Sequence, residues 1–336
     1  MIKSLSEIAQ VTMGQSPKSE FYNSNNNGLP FLQGRTTFGD KYPTFDTWTT
    51  SWNKEAFSGD ILFTVRAPVG DLNIANCKIA IGRGLAAIHP TNVNNKYLYY
   101  LLLSNKSKFV NTSSGTIFDS INKNALESIK LNVHDSTIQN HIVNTIGTID
   151  DLIENMQKQN DKIDKILTKY FSNLSASDHR LITDICDIKY GKGFVASKLD
   201  YNYKYPVYGG NGIIGTSKDY MFNIPKIAIS CRGAASGNVI LTKAYSSISS
   251  NSLYLDLFNN DSLLPLFYYL KKANLTSFTT GSAQPQITIE NINKLHIPDS
   301  LEYNIKLNNY LKVMDLNSNK INTLKKIKET LLSKYF

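Results

Sequence analysis

Residues 138–171 read IQNHIVNTIG TIDDLIENMQ KQNDKIDKIL TKYF. Within them Ile142, Ile146, Ile149, Ile153, Met156, Asn160, Ile163, Leu167 and Tyr170 alternate spacings of four and three. That is a heptad seam with charged residues between its apolar positions, the pattern of a helix that lays one stripe against a partner. A helix of this length is a rod of about 50 Å. Residues 301–336 carry a rougher version through Leu307, Leu311, Met314, Asn317, Ile321, Leu324, Lys328, Leu331 and Tyr335. The step from Met314 to Asn317 is a stammer, which overwinds a coil locally. Asn160 and Asn317 put polar groups in the seams, where they cost stability and fix register. The expectation is an antiparallel pairing of the two helices within one chain. A parallel dimer of chains is the rival arrangement.

Working outward, the segments before the two helices repeat each other. Residues 8–14 (Ile8 to Gly14) align with 185–191, Tyr97-Leu98-Tyr99-Tyr100-Leu101 with Leu266-Phe267-Tyr268-Tyr269-Leu270, and Ser114-Gly115-Thr116 with Thr280-Gly281-Ser282. Leu126 to Leu131 align with Ile292 to Ile297, and the two helical segments end Lys169-Tyr170-Phe171 and Lys334-Tyr335-Phe336. A repeat of this length is too long for a solenoid unit and reads as a tandem duplication. Each copy is α+β. Asp60 to Val65 and Lys226 to Ser230 read as buried strands, each followed by an arginine and glycines. Leu253 to Phe258 alternates as a strand, Lys96 to Leu103 reads as an apolar helix, and Ser4 with Glu7 forms a capping box. The expected organisation is a module over 1–137, a long helix over 138–171, a second module over 172–300 and a second long helix over 301–336.

The 336 residues hold 36 basic and 27 acidic side chains, for a net charge of +9. The excess is spread, +3 in each module and +4 in the last helix, with no basic tail. A distributed excess fits a long footprint on a phosphate backbone. Of the 36, 31 are lysines, so much of it is compositional bias. Cys77, Cys186 and Cys231 are too far apart and too few for a disulfide framework. Residues 1–7 lack the apolar core of a signal peptide and no long apolar run follows, so no membrane association and a cytoplasmic location are expected.

Catalytic signatures are missing. Residues 191–196 imitate a dinucleotide-binding turn, but no amphipathic helix or ribose-binding acid follows. His89, His134, His141, His179 and His296 lack metal-ligand spacing. Gly233 to Gly237 misses the nucleophile elbow, and no Asn/Asp-Pro-Pro-aromatic loop for a flipped adenine is present. The informative residues are arginines. Arg35, Arg66, Arg83 and Arg232 all fall in glycine-rich loops of a chain that otherwise uses lysine, where a planar five-donor group can fork to guanine or phosphate. For Arg66 and Arg232, which are equivalent in the two copies, tying a loop to backbone carbonyls is the alternative role. With Lys41, Lys192, Lys204, Gln284 and Gln286 these arginines form the set of candidate DNA contacts. No residue is expected to be catalytic, to ligate a metal or to bind a cofactor.

In this order, duplication and spacing the chain resembles the specificity subunit of type I restriction-modification systems over essentially its whole length. The residues that carry the resemblance are Gly59-Asp60-Ile61-Leu62 leading to Arg66, the turn Gly281-Ser282-Ala283-Gln284-Pro285-Gln286-Ile287, Ile129 to Val133 and Leu295 to Pro298 ahead of the long helices, and the two Tyr-Phe endings. The resemblance implies two target recognition domains, each reading one half of a bipartite DNA sequence. It implies that the paired helices set the gap between them and dock two methyltransferase subunits, which restriction/translocase subunits can join. S-adenosylmethionine, Mg and ATP are then expected in partner subunits. Departures occur: Asp135-Ser136 replaces the usual proline before the first helix, Asn304 the usual glutamine of the second, and Ile224-Pro225 the Gly-Asp entry in the second copy. A specificity subunit serving a fused methylase-nuclease partner, and a coiled-coil scaffold that binds no DNA, are the alternatives.

Overall fold

The computed structural model describes residues 1–113, 120–172, 179–194, 199–200, 203–280, 286–299 and 305–336. They fall into two compact units, Met1–Met156 with Asn319–Phe336, and Gln157–Ser318.

In the first unit the strand Ile61–Thr64 is buried at every position, which its unbroken apolar sequence anticipates. It sits inside an antiparallel sheet of order Ala9–Met13, Leu85–Pro90, Ile61–Thr64, Leu72–Ile74. Because side chains alternate along a strand, Ile61 and Phe63 face one core and Leu62 another. The first core is filled by the helix Asn95–Ser104, buried from Tyr97 to Leu102, and by Phe109. Asn94 caps that helix, its side chain accepting from the Tyr97 N–H at 3.3 Å. The second core lies between this sheet and an outer one of order Tyr22–Asn23, Trp48–Thr49, Leu29–Leu32, Ile79–Ile81, Glu55–Ala56.

The second unit repeats the plan. Its inner sheet runs Cys186–Tyr190, Ser252–Leu257, Ile227–Ser230, Val239–Leu241, again antiparallel throughout. The helix Leu263–Lys272 packs on Ile227 and Ile229. Both units also hold a two-stranded sheet, Ile2–Ser4 with Lys130–Asn132 and His179–Leu181 with His296–Pro298. Short helices precede the second strand of each, Lys123–Ser128 capped by Asn122 and Ile289–Asn293 capped by Thr288. Beside Ser4, Glu7 accepts from both the N–H and the hydroxyl at 2.6 Å, and the hydroxyl contact is the leading cause holding its carboxyl below the usual range.

Two details show how far the copies agree. A Cβ on Gly14 would lie 2.2 Å from the Gly82 carbonyl oxygen, and one on Gly191 2.3 Å from that of Ser249. These glycines therefore serve a close backbone approach at a strand end. At the entry to the central strand, buried Asp60 accepts from the Phe57 N–H at 2.8 Å and meets His89 Nδ1 at 2.7 Å. The equivalent place in the second unit carries the opposite polarity. There buried Lys226 donates to Asp256 at 2.6 Å, and Lys189 and Lys226 hold that carboxyl below its ordinary range. Each buried charge keeps a partner, which accounts for the missing Gly-Asp entry.

The outer sheets differ. Among the described residues, three strands of the second unit, Gly212–Ser217, Tyr205–Gly209 and Ser247–Ile248, stand where the first unit has five. Tyr208 and Ile248 of this sheet cover Ala228 of the inner one.

The long helices span Ser136–Ser172 and Ile305–Tyr335. In the first unit Ile142 and Ile146 belong to the same core as Tyr97 and Tyr100, with Leu332. In the second, Ile163 and Leu167 join Leu266 and Tyr268. Ile153 and Ile321 are buried, while Ile149, Met156, Asn160, Met314, Leu324 and Leu331 are half-buried. Tyr170 is exposed, Leu332 is covered more fully than the seam residue Leu331, and the side chain of Leu311 lies outside the description. Polar contacts join the helices at several levels. His141 Nε2 meets the Tyr335 hydroxyl at 3.0 Å, Lys328 donates to Asp150 at 2.6 Å, and Asn317 donates to Asn160 at 3.0 Å.

Asp150 is 5% exposed and also accepts from the Tyr100 hydroxyl at 2.7 Å. Burial, with Asp150 alongside, raises the Tyr100 phenol and keeps it a donor. Removing one member of such a pair strands a buried charge, whereas removing both need not. Lys328→Met is expected to lower unfolding free energy by about 3 kcal/mol, and adding Asp150→Leu to recover most of it, as read by denaturant midpoints.

Candidate nucleic-acid interface

The five arginines occupy different chemical situations. Arg180 pairs with Asp299 at 3.2 Å. Arg35 reaches Asp71 at 2.5 Å, and Lys106 pairs with the other oxygen of the same carboxylate. Burial alone would raise Asp71, but Lys106 and Arg35 outweigh it and hold the carboxyl below its usual range. Lys41 is likewise committed. Burial pulls its ammonium down, yet Glu154 of the long helix, with Tyr42 and Asp150, more than offsets this and the side chain stays charged. Arg35 and Lys41 thus anchor the loop they share to the body of the first unit.

Arg66, Arg83, Arg232 and Lys192 are exposed, and their side chains make no hydrogen bond or ion pair among the described residues. Arg66 and Arg232 follow the central strands and occupy matching places. Arg66 forms a backbone bridge with Ser120, and Arg232 one with Gln286. The next residues complete the match, with Ile121 N–H donating to the Val65 carbonyl at 3.0 Å and Ile287 N–H to that of Cys231 at 2.9 Å. The main chain ties the loop, and the guanidinium is left to solvent. Gln286 is exposed and also bridges Thr280. Gln284 lies outside the described residues, as do residues 114–116. Lys204 is exposed, with its ammonium 5.2 Å from the Tyr205 ring centre.

Arg83 borders an open cleft of about 600 Å³ in the first unit. Its own N–H donates to the Ser16 hydroxyl at 3.1 Å, and that hydroxyl donates to Gln33 Oε1 at 2.8 Å. Tyr22 and Phe31 line the cleft with ring centres 4.8 Å apart, and Asp46 stands on its rim. The close fit needs glycine at Gly84, where a Cβ would lie 2.5 Å from the Gln33 carbonyl oxygen. An arginine fork beside an amide and hydroxyls is the donor and acceptor set that reads base edges. Sequence reading did not single out Ser16, Tyr22 or Gln33. Their convergence comes from the parallel pairing of Leu29–Leu32 with Ile79–Ile81, a contact that local sequence does not encode.

No group of His, Cys, Asp and Glu among the described residues is arranged to hold a metal. No helix among them is long and apolar enough to cross a membrane.

Comparison with known proteins agrees with the duplicated plan. The model of the type I restriction modification DNA specificity domain matches residues 1–165 and again residues 177–331. A putative type I restriction enzyme MjaX specificity subunit of Methanocaldococcus jannaschii is 40% identical over 176 residues, 52% of this chain and 41% of that relative. The MjaIX specificity subunit of the same organism is 26% identical over 184 residues, 43% of its length, so the chain spans less than half of either relative. The crystal structure of an S subunit from M. genitalium shares the fold, with a TM-score of 0.57 and 19% identity, covering 100% of this chain and 96% of that one. The chain belongs to the family of type I restriction-modification specificity subunits.

Proposed function

We propose that this chain is the non-catalytic DNA-reading subunit of a type I methyltransferase complex. Each module reads one half of a bipartite duplex target. The two long helices pair as an antiparallel coiled coil that sets the gap and docks two methyltransferase subunits. Those partners supply the S-adenosylmethionine chemistry on an adenine taken out of the stack, and translocase subunits that use ATP and Mg join them for cleavage.

The observation that carries this reading is repetition with a difference. The inner sheets share one strand order, while among the described residues the outer sheets have five strands in one copy and three in the other. A common frame bearing unlike surfaces is what reading two unlike half-sites requires. Support for the antiparallel helix pair comes from the order of its polar contacts. Along the first helix His141, Asp150 and Asn160 ascend, while their partners Tyr335, Lys328 and Asn317 descend. The uncommitted guanidiniums of Arg66, Arg83 and Arg232 supply phosphate- and base-directed donors.

In complex with its methyltransferase, the protein is expected to bind duplex DNA with an affinity that falls steeply with salt, since phosphate contacts release counterions. Salt-independent binding would remove the DNA reading. Exchanging residues 1–137 for another recognition module should alter one half of the methylated motif and leave the other. An unchanged motif, or a change in both halves, would contradict the modular assignment. Arg83→Ala should relax preference at one base pair by roughly 1–3 kcal/mol, whereas Lys192→Ala should weaken binding to all sequences alike. Both effects are measurable by titrating single-substitution duplexes.

A further inference from the structure

The outer sheet of the second unit ends in an exposed group of tyrosines. The rings of Tyr205 and Tyr220 lie 5.0 Å apart, and those of Tyr220 and Tyr245 lie 5.2 Å apart at 90°. Tyr245 is 52% exposed and Tyr220 44%. Lysines border them. The Lys204 ammonium is 5.2 Å from the Tyr205 ring centre, that of Lys218 is 5.3 Å from Tyr203, and Lys243 is exposed two residues before Tyr245. Asp200 and Asp219 lie on the same stretch of chain, so the local charge is only modestly positive.

Tyr245 has φ +54, in the left-handed region that bulky side chains rarely adopt. Its neighbours hold it there. Ser246 exchanges two backbone hydrogen bonds with Phe222 at 3.0 Å, its hydroxyl donates to the Lys243 carbonyl at 2.7 Å, and Lys243 N–H donates to the Tyr208 hydroxyl at 3.2 Å. Glycine or asparagine would occupy this backbone with less strain. The half-exposed ring adds little to the buried core of its unit. A strained residue held in place by its surroundings is a common mark of a recognition surface. This one sits in the bend just before Ser247–Ile248, a strand of the sheet by which the two modules differ.

We infer that Tyr245, braced by Tyr220 and Tyr205 and flanked by Lys204 and Lys218, is a specificity-determining contact of the second module with duplex DNA. This rests on the DNA-reading function proposed above. The aromatic faces meet base or sugar edges, and the ammonium groups meet the adjacent phosphates. The alternating ammonium groups favour a polyanion over an apolar protein surface.

The test uses the full chain in complex with its methyltransferase subunits. Tyr245→Asn suits the left-handed backbone, so its thermal midpoint should match or exceed the wild type. Its affinity for the methylated-motif duplex should nevertheless fall roughly tenfold, with preference relaxed in the second half-site only. Tyr245→Phe, which keeps the ring, should retain binding. If Tyr245→Asn binds and methylates as the wild type does, the inference fails while the DNA-reading function stands. Loss of methyltransferase assembly with DNA affinity retained would also overturn it, by marking the patch as a protein contact. A wild-type complex with no sequence preference would remove the DNA-reading function, and this inference with it.

Discussion

Asp150 is buried on the helix Ser136–Ser172, where an unpaired carboxylate would cost several kcal/mol. Its partners come from distant parts of the chain, Tyr100 from the helix that fills the first core and Lys328 from the C-terminal helix. Satisfying one charge therefore brings three segments together in one geometry. The apolar residues around it follow the same logic. Ile142 and Ile146 complete a core that the sheet and Tyr97 leave open, and Leu332 closes it. The long helix serves as a wall of the module as well as a partner for another helix.

The second unit reaches an equivalent arrangement with partners from other places in the chain. Asp164 of the same long helix takes Lys271 at 2.9 Å and the Tyr268 hydroxyl at 3.4 Å, and Lys226 with Asp256 stands where the first unit has Asp60 with His89. What the copies preserve is that each charge in the shared frame has a partner, whatever its sign. The surfaces built on that frame diverge freely because the inner sheet and its helix already fill a core. Divergence is concentrated in the outer sheets, the cleft beside Arg83 in one and the tyrosine group in the other.

Much of the frame was legible in sequence. Buried strands announced themselves at Ile61–Thr64 and Ile227–Ser230 through continuous apolar runs, and the repeat fixed their equivalence. The long helices were legible from their seams. Less could be read of the surface. Arg35 and Arg83 both sit beside glycines, yet one is committed to Asp71 and the other makes no ion pair among the described residues, because only the first loop folds toward that carboxylate. Leu332 outranks its neighbour Leu331 in burial because the module core, which a helical period does not contain, takes part of the stripe. The strained Tyr245 had no local signature at all, since its φ is imposed by pairing of Ser246 with Phe222.

We propose that this chain supplies the address for a methyltransferase and leaves the chemistry to its partners. Single-molecule sequencing of the methylome, in a host with and without this gene, tests it most directly. A bipartite adenine-methylated motif, two short specified halves around an unspecified gap, should be present with the gene and vanish without it. A methylome that is the same in both hosts would contradict the claim.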